Sequence, residues 1–473
     1  MSEYHMIING RKVGSDTSFP VINPATEQAI TQCPQASEAD LDEAVQAARA
    51  AFPAWSALPG SERAALVHRI GEAIEAHKDE LARLLTLEQG KPGQGFAGLG
   101  AAFEIGGALA WCHAAADTDL PVDVIQDNDE ARIEVHRKPL GVVGSITPWN
   151  YPLMIAVWHV MPALRSGNTV VLKPSEYTPL TTLRFAEIVN EFLPPGVFNV
   201  LSGDGALGAA MTCHPGINKI VFTGSTATGK KIMQGASVNL KRLTLELGGN
   251  DAAIVLPDVD VNAIAPKIFA TAMFNNGQTC AALKRLYVHE DIHDELCQAL
   301  VGLAESVTTG DGSGDVDFGP VQNKAQFDKV CAMADEARKA GARFLSGGEA
   351  MPGPGYFYPV TIVTDVDESS RLVQEEPFGP ILPVMKFRDV EDAIARANDN
   401  PSGLGGSVWS GDVKRAAELA SRLECGAAWV NGHAAIQPDA PFGGVKESGF
   451  GVEFGRYGME EYTSIQTLHI SKA

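Results

Sequence analysis

From about residue 140 onward, short β-rich runs alternate with helical stretches, and no other feature limits the possible folds so narrowly. The runs at 142–146, 169–172, 197–201, 220–222 and 243–245 are rich in Val, Ile, Leu, Phe and Thr, and helical stretches at 180–192 and 206–213 lie between them. Strands separated by helices imply βαβ units and a parallel sheet, with ligands at the carboxyl ends of the strands. A second α/β stretch begins near 252–256 and continues past Trp429, with helical segments at 292–307, 324–339 and 413–423. Ahead of both, 37–90 reads as helical. Leu41, Val45 and Phe52 recur on one face, then Leu66, Ile70 and Ile74, then Leu81, Leu84, Leu85 and Leu87, until Gly90 and Pro92 supply a stop. The alternating segments 131–136 and 462–470 suit solvent-facing or interface strands, and the Gly/Pro-rich 347–359 reads as a surface loop.

A chain of 473 residues is too long for one simple core, so two or three lobes are expected. The formal net charge of −21 repels phosphate backbones and anionic membranes, which argues against nucleic-acid or membrane partners. No apolar run approaches the ~20 residues that span a bilayer. Met1-Ser2-Glu3-Tyr4-His5 lacks the basic and apolar regions of a signal peptide. The seven cysteines form no C-x-x-C pair and no zinc-ligand spacing with histidine. A cytoplasmic protein with reduced thiols and no metal is expected.

Two glycine motifs mislead if taken alone. Gly224-Ser225-Thr226-Ala227-Thr228-Gly229-Lys230 nearly spells a P-loop, but Lys231 stands where a Mg²⁺-ligating hydroxyl is required, which opposes a kinase. It still predicts a strand, a glycine turn and a helix N-terminus, where a pyrophosphate can bind or where a plain βα turn can sit. Gly203-Asp204-Gly205-Ala206-Leu207-Gly208 matches G-x-G-x-x-G, yet Phe222-Thr223-Gly224 occupies the place of the expected ribose-binding acid. It reads mainly as a strand-to-helix turn. Glu176 in Lys173-Pro174-Ser175-Glu176 is the better ribose ligand.

Asn275-Asn276-Gly277-Gln278-Thr279-Cys280 places a cysteine in a glycine-containing loop directly after an apolar run. A lone cysteine is weak evidence, since buried thiols are mostly inert. Leu245-Glu246-Leu247-Gly248-Gly249 and Pro148-Trp149-Asn150 add a potential base and a potential oxyanion donor, and the three together point to covalent acyl chemistry.

With Phe222-Thr223-Gly224-Ser225, Glu376-Pro377-Phe378-Gly379-Pro380 and Pro441-Phe442-Gly443-Gly444 added, these motifs stand in an order that resembles the NAD(P)-dependent aldehyde dehydrogenase superfamily of the hydrolytic, non-acylating type. The resemblance runs from Ile8-Asn9-Gly10 to the C-terminal tail. Met273 is a mild departure, because an aromatic or another aliphatic residue usually opens the cysteine signature.

The resemblance implies an α/β fold of three parts. They are a Rossmann-like parallel-sheet cofactor domain (1–117 and 139–247), a second α/β catalytic domain (248–445) and a small β oligomerisation element (118–138 and 459–473). It implies Cys280 as the nucleophile, Asn150 with the Cys280 amide as oxyanion donors, and Glu246 as the base that activates the hydrolytic water. Members that pass the acyl group to CoA generally lack that carboxylate. For NAD, with NADP as the less favoured cofactor, the implied residues are Ile146, Pro148, Trp149, Lys173, Ser175, Glu176, Phe222, Gly224, Ser225, Gly229, Leu247, Gln326, Lys329, Glu376 and Phe378. A carboxylate at 176 accepts from a 2′-hydroxyl and repels a 2′-phosphate, although Lys173 beside it could tolerate some phosphate.

Positions matching the substrate tunnel are Tyr151, Ile155, Trp158, Thr279, Ala281, Ile436 and Phe442. None is an arginine that would clamp an ω-carboxylate, so a neutral aliphatic or aromatic aldehyde is expected. His433 and Asp439 share the Ile436 loop; either turned inward would overturn that inference, and solvated positions are expected. A homodimer or homotetramer is implied. The alternatives are an NADP-using semialdehyde dehydrogenase and a catalytically silent nucleotide-binding protein, which the intact Asn150, Glu246 and Cys280 oppose.

Overall fold

The computed structural model describes residues 4–472; residues 1–3 and 473, which include the start of the N-terminal segment read above and the last residue of the tail, lie outside the described residues. Five parallel strands form the centre of an eight-stranded sheet, in the order Phe198–Val200, Thr169–Lys173, Val142–Ile146, Lys219–Thr223 and Arg242–Glu246. Four of the five are buried along their whole length, which is why they read as continuous apolar runs. Antiparallel edges come from Met6–Ile8 with Arg11–Val13 on one side and Gly449–Phe450 on the other. The chain starts at the middle strand, Val142–Ile146, moves outward to Phe198–Val200, and returns to lay down Lys219–Thr223 on its other side. The order therefore reverses between Val142–Ile146 and Lys219–Thr223, and a crevice opens beyond their carboxyl ends.

Pro152–Arg165 is the helix that fills the middle of this lobe. Proline at its first position suits a helix start, and thirteen of its residues are buried, so it is apolar on every side rather than along one stripe. Burying a Leu, Ile or Met side chain contributes roughly 1.5–3 kcal/mol, so this one helix anchors the packing of its neighbours. The 37–90 region forms three helices, Glu38–Ala57, Gly60–Ala76 and Lys78–Gln89. Ser37 opens the first through a reciprocal capping box with Asp40.

A seven-stranded sheet is ordered Arg343–Ser346, Thr361–Thr364, Ile381–Phe387, Leu283–His289, Asp251–Val255, Gly405–Trp409 and Ala427–Val430, parallel except at Arg343–Ser346. The chain passes directly from Glu246, the last residue of a first-sheet strand, to Asp251, the first of a second-sheet strand. Carboxyl ends of one sheet thus face amino ends of the other across the crevice. The two polar segments pair with each other: Thr463–Ser471 runs antiparallel to Ala131–Pro139, which pairs in turn with Asp123–Asp127. Among the described residues, no helix is long and apolar enough to cross a membrane.

Candidate active site

The Cys280 loop is shaped by three consecutive residues with left-handed backbone, Asn275, Asn276 and Gly277, at φ of 50°, 58° and 71°. Asparagine tolerates this region better than other side chains. At Gly277 a Cβ would also lie 2.1 Å from the Gly379 carbonyl oxygen, so only glycine fits. Gln278 Oε1 accepts from the Gln322 amide at 2.8 Å, and Asn276 Nδ2 donates to the Gly319 carbonyl at 3.0 Å. The conspicuous polar residues of this signature are therefore scaffolding, and the thiol is the group left for chemistry.

Asn150 lies against that loop. Its Nδ2 donates to the Gln278 carbonyl at 3.0 Å, and its own carbonyl accepts from Asn275 Nδ2 at 2.9 Å. Glu246 ends the Arg242–Glu246 strand, is 4% exposed, and has no hydrogen-bond partner for either carboxylate oxygen among the described residues. Burial, and then the neighbouring Glu453 carboxylate, push its pKa well above the ordinary carboxylate range. Burial likewise pushes the Cys280 thiol up to about 12, with the Lys284 ammonium opposing and Glu376, Asp251 and Glu246 adding to the rise. Burial thus holds both groups toward their protonated forms, with the Lys284 ammonium favouring the thiolate.

Pro148, Trp149, Asn150, Gly224, Ser225, Leu247, Cys280, Gln326, Lys329, Glu376 and Phe378 line one cleft of ≈ 170 Å³, together with Thr223 and Gly248. Cys280 also packs against a separate apolar cluster that contains Tyr151, Ile155, Trp158, Ala281, Ile436 and Phe442. Cys280 thus lies between the cleft and a packed apolar cluster.

A model of the aldehyde dehydrogenase family matches residues 12–468. The chain belongs to the aldehyde dehydrogenase family. It is 40% identical to an aldehyde dehydrogenase of a Fusarium species over 472 residues, covering 99% of both chains. It is 39% identical to retinaldehyde dehydrogenase 3 of Rattus norvegicus over 484 residues, covering 99% of this chain and 91% of the relative. The NAD⁺ complex structure of an aldehyde dehydrogenase from Bacillus cereus superposes with a TM-score of 0.96 at 37% identity, covering 99% of this chain and 96% of that one.

In this member of the family, the cleft residues fit a dinucleotide. Ser225 caps the eleven-residue helix Thr226–Ala236, whose amino end opens on the cleft. Glu376 bonds the Gly249 amide at 3.3 Å and pairs with Lys284 at 2.9 Å. A Cβ at Gly248 would sit 2.6 Å from Glu376 Oε2, so the glycine is what allows that carboxylate into the cleft. Trp149 and Phe378 meet edge to face at 5.3 Å. Glu176 lies 3.7 Å from Lys173 Nζ, but that ammonium is spent on the carbonyls of Gly203 at 2.7 Å and Pro174 at 3.0 Å. Ile146, Ser175, Phe222 and Gly229 are buried and do not line that cleft; Cβ positions on Gly208 and Gly229 would meet Lys173 with Ile146, and Leu247, respectively. Gln326 and Lys329 line the cleft while donating to the carbonyls of Pro377, Phe378 and Glu376, so they hold the 376–378 turn in place.

The apolar cluster is completed by aromatic rings that the sequence pattern does not single out. Trp111 and Phe454 pack on Trp158 at 5.4 and 4.8 Å, and Phe442 stacks on Phe454 at 6.1 Å. Tyr151 spends its hydroxyl on Thr279 Oγ1 at 3.0 Å, which leaves both residues with apolar faces. His433 corrects the expectation of a solvated loop position. Its side chain is fully buried, bonded to Ser407 Oγ at 3.0 Å and 3.5 Å from the equally buried Asp251 carboxylate. Neither Asp251 carboxylate oxygen has a hydrogen-bond partner among the described residues, and the loop turns inward to place a polar ring beside it. Asp439 is exposed, as expected. Lys284 and Glu453 were also hidden from sequence reading, because nothing local marks a lysine four residues after the thiol or a carboxylate in the C-terminal turn as its neighbours. Among the described residues no group of three potential ligands could hold a metal ion.

Proposed function

We propose that this chain oxidises a neutral aliphatic or aromatic aldehyde to its carboxylic acid, with NAD as the hydride acceptor and water as the acyl acceptor. The observation that carries the reading is the position of Cys280, which lines the cleft that fits a dinucleotide and packs against the aromatic cluster. Cys280 gives its proton to solvent water and its sulfur adds to the aldehyde carbon. The Asn150 side-chain amide and the Cys280 backbone N–H stabilise the oxyanion that forms, a donor of this type being worth roughly 3 kcal/mol of barrier. A dinucleotide held by Ser225, Glu176, Glu376 and the glycine turn supplies the acceptor for the hydride that leaves that carbon. Cys280 then carries the acyl group as a thioester. Glu246 takes a proton from water, the resulting hydroxide attacks the thioester carbonyl, and the acid departs as the Cys280 thiolate is released.

Glu176 supports NAD over NADP, and the confinement of Lys173 to backbone carbonyls strengthens that preference. None of Tyr151, Ile155, Trp158, Thr279, Ala281, Ile436 and Phe442 is charged, and the Lys91 ammonium over the Tyr151 ring is paired with Glu104, which supports neutral substrates over semialdehyde acids. Exposed Ile125, Ile465, Leu468 and Ile470 on the three-stranded sheet support assembly of two or four copies through that element. The eight-, seven- and three-stranded sheets support the division into cofactor, catalytic and oligomerisation parts. Seven free thiols support a cytoplasmic, reducing location.

The test is a panel of aldehydes with NAD, following NADH and free acid together. Equal amounts of both without added CoA are expected, with medium-chain or aromatic aldehydes ahead of ω-carboxylated ones. NADH formation that requires CoA would contradict the hydrolytic reading, and a preference for ω-carboxylated substrates would contradict the substrate class.

A further inference from the structure

Behind Asn150 lies a buried ion pair that takes no part in the reaction just described. Lys91 Nζ is 2.5 Å from Glu104 Oε2, with side chains 2% and 0% exposed. Glu104 Oε1 accepts from the backbone amides of Leu153 at 2.9 Å and Met154 at 3.2 Å, the second and third residues of the Pro152–Arg165 helix. That helix has no side-chain cap of its own, so a distant carboxylate satisfies amides that would otherwise be orphaned. Lys91 Nζ donates to the Asn150 carbonyl at 2.9 Å and lies 4.0 Å over the Tyr151 ring. Every bond the two side chains make, other than to each other, ends on residues 150–154.

Two buried charges are costly unless every donor and acceptor is satisfied, and here they are. The pair has two effects on the site. Glu104 fixes where the helix begins, and Lys91 fixes the turn that precedes it. The Asn150 carbonyl is gripped from both sides, by Lys91 Nζ and by Asn275 Nδ2 of the cysteine loop, each at 2.9 Å. Residues 91 and 104 thereby join the helix start to the loop that carries the nucleophile.

We propose that Lys91 and Glu104 are positioning residues for the oxyanion donor, setting the place of the Asn150 side chain relative to Cys280. The proposal rests on the reading of Asn150 as that donor. A displacement of about 1 Å in a catalytic group can cost roughly a hundredfold in rate, so loss of one of the two grips on the Asn150 carbonyl should be felt in acylation.

The test is the Lys91→Met/Glu104→Gln double variant, built in the wild-type chain and again on Asn150→Ala. Two neutral near-isosteres leave no unpaired buried charge, so the fold is expected to survive. The readout is the rate constant of the NADH burst with NAD and hexanal, alongside NAD affinity from fluorescence titration and the thermal midpoint. In the wild-type background the burst should slow about tenfold or more, and in the Asn150→Ala background by less than about twofold, because the pair acts through Asn150. NAD affinity should be unchanged in both. Lys91→Arg, which keeps the charge but changes its reach, should show the same dependence on Asn150. An unchanged burst in the wild-type background, or an equal loss in both backgrounds, would overturn the positioning role. An Asn150→Ala variant with an undiminished burst would instead overturn the oxyanion reading on which the proposal stands.

Discussion

The side-chain nitrogen of Asn150 and the carbonyl oxygen of Gln278 are 3.0 Å apart, so the amide proposed to hold the oxyanion is bonded to the loop that carries Cys280. Donor and nucleophile are preorganised together, and the donor exchanges one carbonyl partner for another when an oxyanion forms. Asn150→Ala should therefore slow the NADH burst by roughly 10²–10³-fold while leaving NAD affinity unchanged. Stopped-flow absorbance measures the first and fluorescence titration the second. A burst within about threefold of wild type would remove Asn150 from the oxyanion site.

Glu246 must be ionised to act as a base, and its pKa is raised by burial and by Glu453. Deacylation should fall as pH drops through a value well above the ordinary carboxylate range. Glu453→Gln removes a repelling charge, so that acid limb should move to lower pH. Single-turnover decay of the acyl-enzyme across pH reads the limb directly; an unmoved limb would show that Glu453 does not act on Glu246.

The same shift has a consequence for stability. In the unfolded chain this carboxyl ionises near its ordinary value of 4.5, whereas in the folded chain it holds its proton to higher pH. Above the ordinary value the native state binds more protons than the unfolded one, so stability declines as pH rises through that window. Glu246→Gln should raise the thermal midpoint at pH above the raised pKa and leave it nearly unchanged below the ordinary value. Scanning calorimetry that found a lower midpoint at alkaline pH would contradict the buried-carboxylate account.

Glu176→Gln should raise the NADP-to-NAD ratio of kcat/KM about fivefold, because removing one like charge near a 2′-phosphate is worth about 1 kcal/mol in a solvated cleft. Lys173 gives two of its three donors to carbonyls and lies 3.7 Å from Glu176. Initial rates with the two cofactors decide this, and an unchanged ratio would free Glu176 from any role in selection.

Much of this molecule is legible in its sequence because the information is local. The buried parallel strands read as apolar runs, and the glycine turns at 224 and 277 mark positions where a side chain would strike Phe222 or the Gly379 carbonyl. The Lys324–Lys339 helix stands where its periodicity places it. What stays hidden depends on pairing across the chain. Lys91 with Glu104, Lys284 with Glu376 and His433 with Asp251 are polar pairs that look solvated in sequence and are buried or half-buried in the fold. Each is stable inside only because its partner arrives from another element, and no local pattern records that arrival. The aromatic wall formed by Trp111 and Phe454 is hidden for the same reason, since an aromatic residue at helical spacing is indistinguishable from ordinary core.

The central claim is that the acyl group resides on Cys280 and leaves by hydrolysis driven by Glu246. The most direct measurement is mass spectrometry of the Glu246→Gln variant, acid-quenched after one burst with NAD and hexanal. The expected result is a stoichiometric hexanoyl adduct on the peptide that contains Cys280, formed together with one equivalent of NADH and decaying far more slowly than in wild type. An equivalent of NADH with an unmodified Cys280, or an adduct on any of the other six cysteines, would contradict it.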